Sequence, residues 1–192
     1  GFILNPGIFP LLDNNSVYNK KLIMRGTLGG SRFSNFSDCH NVVISPEAVL
    51  RSGADAVLLM LVLGGNNDNE SMTEISKAAV TFHNYSIPVI IEVLNADFSK
   101  INDTDFVRDG SRIAAEIGAD VVKAFYCESF FEVIEGCPVP VILAGGSKGG
   151  DIVKTAKTVV EAGVKGFAFG RNIFQNPEPA KLIIQLNAVL ER

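Results

Sequence analysis

At 192 residues, with 47% hydrophobic and 20% charged side chains, the chain can bury a substantial core and reads as one domain over 1–192, neither disordered nor fibrous. Its net charge of -4 and pI near 5.2 come from acids and bases mixed along the whole length, so no basic stripe exists to track a nucleic-acid backbone. The longest apolar run, Ala56 to Leu63, is far short of the roughly 20 residues of a membrane helix, and no secretory signal is visible.

Short runs rich in Val, Ile, Leu and Ala recur along the chain. In order they are Gly1 to Leu4, Lys21 to Met24, Ala54 to Leu63, Pro88 to Leu94, Ala119 to Phe125, Pro140 to Leu143 and Val164 to Phe169. Most lack polar alternation, as expected of parallel strands covered on both faces. Helices with legible ends lie between several of them. Ser45-Pro46-Glu47 supplies an N-cap, a first-turn proline and an early acid, and Gly53 closes that helix. Ser71-Met72-Thr73-Glu74 reads as a capping box opening a helix that runs to about Asn84. A third helix spans about Phe106 to Glu116 and ends at Gly118; a fourth spans about Asp151 to Ala162 and ends at Gly163.

Gly-Ala-Asp-Ala-Val at 53–57 returns as Gly-Ala-Asp-Val-Val at 118–122 and, more weakly, as Gly-Val-Lys-Gly-Phe at 163–167. A helix cap feeding directly into a buried strand, repeated in this way, predicts an α/β protein built as a (β/α)8 TIM barrel. A doubly wound sheet would also alternate, but no GxGxxG opens a helix after a first strand. The runs number one fewer than the eight strands a barrel needs, so the expectation is a barrel lacking its first strand in this chain, with an unpaired edge.

Cys39, Cys127 and Cys137 form no CxxC pair, and only His40 stands beside one of them. Free thiols in a reducing cytoplasm follow, with no metal and no cofactor expected. His83, near the end of a predicted helix, reads as a surface or packing histidine.

Lys123 follows Ala119-Asp120-Val121-Val122 at the C-terminal end of a predicted wall strand, the end at which barrel enzymes place their chemistry. A lysine there suits Schiff-base formation with a carbonyl substrate, in which the protonated imine draws electrons from a carbon–carbon bond. Such an amine must be held unprotonated by burial or neighbouring positive charge, and Lys148 and Arg171 are the expected cationic neighbours. Gly145, Gly146 and Ser147 end one strand, and Gly170 and Arg171 end the next. Those two loops form the phosphate site of many barrels, because glycines let backbone N–H groups approach the oxyanion. Gly64 to Glu70 resembles a calcium loop with the wrong spacing and is expected as a flexible loop at the catalytic face. Phe98 to Asp105 is expected to cover the same mouth, as a lid.

At GADVVKAFYCESFFEVIEGCPVPVILAGGSK and GVKGFAFGRNIFQNPEP the sequence resembles the DhnA-type class I aldolases of the DeoC/LacD group. That group includes archaeal-type fructose-bisphosphate aldolase, aminodideoxyheptulosonate synthase and the thiolase that processes phosphorylated autoinducer-2. The likeness runs from GFILNPGIF onward and is densest from Gly118 to Gln175. It implies Lys123 as the Schiff-base lysine and Gly145, Gly146, Gly170 and Arg171 as phosphate ligands. It further implies a metal-free enzyme, a phosphorylated keto-sugar substrate and a homo-oligomer. Two positions depart from the pattern. The family's first-strand Asp has no counterpart, and Glu92 and Leu94 stand where the aldolases carry an aromatic residue and an acid/base Tyr. Proton transfer then falls to Tyr126 or Glu92, and the KAFY and GCPVP stretches look closer to the thiolase branch.

The leading expectation is a Schiff-base carbon–carbon lyase or transferase acting on a phosphorylated ketose or diketone, cytoplasmic and binding neither nucleic acid nor membrane. The alternatives are a catalytically silent phosphate-ester-binding assembly protein and an imine-free phosphosugar isomerase.

Overall fold

A computed structural model of the chain describes residues 1–31, 33–34, 36–145 and 151–191. Each of the seven apolar runs becomes a strand. In chain order the strands are β1 (Phe2–Leu4), β2 (Leu22–Arg25), β3 (Thr27–Leu28), β4 (Asn41–Val42), β5 (Ala56–Leu63), β6 (Val89–Asn95), β7 (Val121–Ala124), β8 (Val141–Ala144) and β9 (Gly166–Ala168). The helices are α1 (Asn14–Val17), α2 (Pro46–Arg51), α3 (Asp68–His83), α4 (Thr104–Glu116), α5 (Phe130–Gly136), α6 (Ile152–Ala162), α7 (Arg171–Phe174) and α8 (Pro179–Leu190).

Seven strands form one sheet in the order β1-β2-β5-β6-β7-β8-β9, every neighbouring pair parallel. Spatial order follows chain order without reversal. A doubly wound sheet must reverse at a switch point, whereas a singly wound βα series is the wall of a barrel. The fold is therefore α/β and of the (β/α)8-barrel type, represented by seven of its strands. Among the described residues β1 and β9 are the two edges. The short β3 and β4 pair antiparallel beyond the end of β2.

Helix ends are set locally. Ser45 Oγ accepts from Ala48 N at 3.3 Å, fixing the start of α2. Gly118 and Gly163 sit at φ +114° and +113°, the left-handed conformation that lets a helix turn straight into the next strand. Behind them Ala119 N donates to Ala114 O and Val164 N to Val159 O, closing each turn.

The capping box expected at Ser71 is not one. Helix α3 begins at Asp68, whose carboxylate accepts from Gly64 N at 3.0 Å and Gly65 N at 2.9 Å. Those hydrogen bonds also tie down the loop expected to be flexible. Ser71, fully buried inside the helix, accepts from Val62 N at 3.1 Å and pins α3 to β5.

The wall has two apolar faces. Val57, Leu59 and Leu61 of β5, with Val89, Ile91 and Val93 of β6, face the helices and pack on Ile75, Ala79, Phe82 and Val107. Each fully buried aliphatic side chain there stabilises the fold by about 1.5–3 kcal/mol relative to exposure. The intervening residues face the barrel interior in two layers. Ala56, Leu58 and Ile90, with Ile3, Ile23, Val121 and Ile142, form the layer nearer the strand beginnings. Val62, Leu94 and Ile101, with Ala96 and Phe125, form the layer nearer the strand ends, and Met60 touches both.

Candidate active site

Between those two interior layers lies the least apolar level of the wall. Along β6 the inward residues are Ile90, Glu92 and Leu94; along β7 and just past it they are Val121, Lys123 and Phe125. Glu92 and Lys123 are register partners, so both side chains emerge at one level on adjoining strands. Lys123 Nζ donates to Glu92 Oε1 at 2.6 Å, with the two side chains only 12% and 6% exposed. The second carboxylate oxygen, Oε2, is buried and has no hydrogen-bond partner among the described residues. Burying an ion pair between apolar layers costs desolvation that a hydrophobic pair would not incur, which marks the pair as a candidate for chemistry.

Among the described residues the hydrogen-bond partner of the Lys123 amine is an anion. The charged group beside the amine is the Glu92 carboxylate, brought there by strand register. Arg171 is exposed at the first residue of α7, and Lys148 lies outside the described residues. Tyr126, expected alongside Glu92 for proton transfer, is not hydrogen-bonded to the amine in this structure. It falls on the opposite side of the chain from Phe125, packs against the helix-facing core, and its ring lies parallel to that of Phe130 with centroids 6.4 Å apart. Of the two residues proposed for proton transfer, only Glu92 reaches the amine.

The two glycine loops come together. Gly145 N donates to Ala168 O at 3.3 Å, carrying the sheet pairing past the end of β8. A Cβ on Gly145 would lie 2.8 Å from Asn172 Oδ1, the tip of a side chain that can turn aside, so the β8 loop and the start of α7 meet through that amide. Gly170 caps α7, its carbonyl accepting from Ile173 N at 2.9 Å and Phe174 N at 3.1 Å. Among the described residues no atom stands within 4 Å of a Cβ built there. Gly146 and Ser147, expected as phosphate ligands, lie outside the described residues.

Two residues that the sequence did not mark for the site belong to the same mouth. Arg25 ends β2 as Lys123 approaches the end of β7, a signal the run Leu22-Ile23-Met24-Arg25 already carried. Its Nε donates to Thr27 O at 3.1 Å and one terminal nitrogen to Met60 Sδ at 3.3 Å. His40 had no such signal. It is 3% exposed, and neither ring nitrogen has a partner among the described residues. Its ring lies 5.3 Å from that of Phe36, and a Cβ on Gly29 would overlap it at 1.7 Å.

Burial first, and then the positive charge of Arg25, hold the His40 pKa below the ordinary value of 6.5. As pH falls below 6.5 the unfolded chain takes up this proton before the folded one, so stability declines from there toward the lower folded pKa. Urea unfolding of the wild type should therefore show a midpoint that drops between pH 7.5 and 5.5, and His40→Gln should flatten that drop. The carboxylates held low by hydrogen bonds, such as Asp38 and Asp55, titrate below this window.

Strand-end loops roof this side of the mouth. Asp38 accepts from Asn66 N at 3.1 Å and from Asn67 Nδ2 at 2.6 Å, joining the loop after β3 to the loop after β5. Phe36 meets Phe98 edge-to-face with centroids 4.6 Å apart. In the segment expected as a lid, Phe98–Lys100 is a 3-10 turn and Ile101 is buried against Val62 and Leu94. Among the described residues no three His, Cys, Asp or Glu gather closely enough to hold a metal, and no helix is long and apolar enough to cross a membrane.

Residues 22–176 match a protein-family model described as DeoC/LacD family aldolase. The chain is 31% identical over 151 residues to 2-amino-3,7-dideoxy-D-threo-hept-6-ulosonate synthase 1 of Archaeoglobus fulgidus, covering 78% of this chain and 58% of that protein. It is 29% identical over 177 residues to the 3-hydroxy-5-phosphonooxypentane-2,4-dione thiolase of Yersinia pseudotuberculosis, covering 91% of this chain and 60% of that one. The chain thus spans under two thirds of the length of these relatives. A crystal structure of an archaeal fructose 1,6-bisphosphate aldolase superposes with a TM-score of 0.87 at 23% identity, over 98% of this chain and 77% of the other. A second archaeal fructose-1,6-bisphosphate aldolase, solved with its catalytic Lys covalently bound to the carbinolamine intermediate, superposes with a TM-score of 0.85 at 23% identity, over 98% and 77%.

Proposed function

Because the chain belongs to the DeoC/LacD family of aldolases, we propose that it is a Schiff-base-forming carbon–carbon lyase or transferase that acts through Lys123 on a phosphorylated ketose or diketone. The observation that carries this reading is the Lys123–Glu92 pair: an amine and a carboxylate 2.6 Å apart, buried on adjoining barrel strands and flanked by apolar layers. In this reading the amine adds to the substrate carbonyl, and loss of water leaves a protonated imine. That cation takes up the electron pair of the neighbouring carbon–carbon bond as it breaks, while the departing fragment's hydroxyl gives up its proton and becomes a carbonyl. The enamine left behind is protonated at carbon, and water releases the product and restores the amine.

Glu92 serves as the proton carrier for these steps. It already touches the amine nitrogen, and its Oε2, without a partner among the described residues, can accept a proton or a second hydrogen bond. The meeting of Gly145 with Asn172 supports a phosphate anchor at the ends of β8 and β9, next in the sheet to Lys123. We extend the reading to a cytoplasmic protein that self-associates, supported by the free Cys39, Cys127 and Cys137 and by the exposed Phe174, Ile183 and Ile184.

Borohydride reduction in the presence of dihydroxyacetone phosphate, followed by peptide mass spectrometry, is the test. Covalent labelling at Lys123 is expected. Labelling of another lysine, or of none, would remove the imine from the mechanism.

A further inference from the structure

Lys123 and Glu92 lie beneath a closed apolar layer. Their side chains are 12% and 6% exposed, so a ketose cannot surround the amine until something above it moves. Leu94 and Phe125 stand above the pair, two residues further along the same inward faces, and Val62 and Ile101 pack with them. Val62 and Leu94 are register partners, held by the ladder that joins β5 to β6. Ile101 is held by no strand, because it comes from the connection between β6 and α4.

From Asp97 to Asp103 every residue except Ile101 is exposed. The hydrogen bonds inside this stretch are local: Lys100 N donates to Asp97 O at 2.9 Å, Asp103 N to Lys100 O at 3.0 Å, and Ser99 N to Asp97 Oδ1 at 3.0 Å. It can therefore swing as one piece. Its two ends are fixed, Asp97 N donating to Asn95 Oδ1 at 2.8 Å at the end of β6, and Asp103 Oδ1 accepting from Phe106 N at 2.9 Å at the start of α4. Between them, among the described residues, one hydrogen bond leaves the segment: Asn102 Nδ2 donates to Tyr126 O, on the loop just past Lys123. Phe98 adds its edge-to-face contact with Phe36. A segment with one buried side chain and one outward hydrogen bond opens at far lower cost than the paired strands beneath it.

We propose that residues 97–103 form a gate over Lys123, with Ile101 as its plug and the Asn102–Tyr126 hydrogen bond as its latch, which opens to admit the substrate to the amine. The latch joins the gate to the loop that follows the lysine strand, so it lies close along the chain to the reacting group. The proposal rests on the assignment of Lys123 as the imine-forming amine and adds how a substrate reaches it.

The test measures how readily the amine is reached, independently of turnover. The full-length protein is treated with pyridoxal and then borohydride, and the labelling rate of Lys123, read by peptide mass spectrometry, is divided by that of Lys21, whose side chain is 81% exposed. Asn102→Ala should raise this ratio about 2- to 12-fold over wild type, the fold-change that corresponds to one lost hydrogen bond. Ile101→Ala should raise it further. Val49→Ala, which truncates a fully buried side chain on α2, is the control for general loosening and should leave the ratio unchanged. An unchanged ratio in either gate variant, or an equal rise in Val49→Ala, overturns the gate. Trapping with dihydroxyacetone phosphate is run beside it: the absence of that label on Lys123 removes the imine mechanism, while the pyridoxal ratios still report the gate.

Discussion

Replacing Lys123 with Met should abolish turnover, lowering kcat on the order of 10^5-fold or more, the scale seen when a covalent nucleophile is removed from an enzyme. No imine can then be trapped, so steady-state kinetics and borohydride labelling should fail together. Methionine nearly matches the volume of the lysine stem, so the apolar layers on either side keep their packing. Stability should nevertheless drop. The Glu92 carboxylate, 6% exposed, loses the only partner it has among the described residues. Breaking a buried pair from one side costs about 3–5 kcal/mol, whereas removing both charges is often near neutral. The double variant Lys123→Met with Glu92→Gln should therefore be more stable to urea than Lys123→Met alone, while remaining inactive. Activity surviving in Lys123→Met would place the chemistry elsewhere and favour an imine-free isomerase.

The second large effect is expected at Glu92. Glu92→Gln keeps the volume and a hydrogen-bond acceptor for Lys123 but can no longer carry a proton. Its kcat should fall by about 10^2- to 10^4-fold, the usual contribution of a positioned acid or base. Borohydride labelling of Lys123 should persist, though more slowly, because the amine remains in place. Tyr126→Phe provides the contrast. The ring packs beside Phe130 on the helix side of β7, so losing its hydroxyl should change kcat by less than about threefold. The opposite pattern, with Tyr126→Phe crippled and Glu92→Gln intact, would require the loop after β7 to rearrange before the reaction.

Much of the barrel was legible because its signals are local. The seven apolar runs became the seven parallel strands, and Gly53, Gly118 and Gly163 marked helix ends that the backbone confirms with positive φ. Ser45 capped α2 as its sequence neighbours suggested. Where two local patterns competed, the nearer-looking one failed. Ser71-Met72-Thr73-Glu74 has the spacing of a capping box, but the helix starts at Asp68 because that carboxylate can bind the Gly64 and Gly65 amides. Glu74, read as part of the box, instead accepts from Val42 N at 3.0 Å and ties α3 to the β3–β4 pair.

The site divides in the same way. Lys123 could be singled out because an amine near the end of a buried strand is visible in a single run of residues, and Glu92 because it interrupts one. That the two touch follows from the β6–β7 register, which no stretch of sequence states. Side-chain direction then separated Glu92 from Tyr126, since successive strand residues alternate between interior and helices. Arg25 and His40 were missed for a related reason. A strand-end arginine looks solvated, and a histidine in a polar loop looks exposed, until folding places one in the mouth and buries the other. Local patterns along the chain specify the strand series, the helix ends and the amine. Which charges face that amine depends on strand pairing and burial, because these join residues that are distant along the chain.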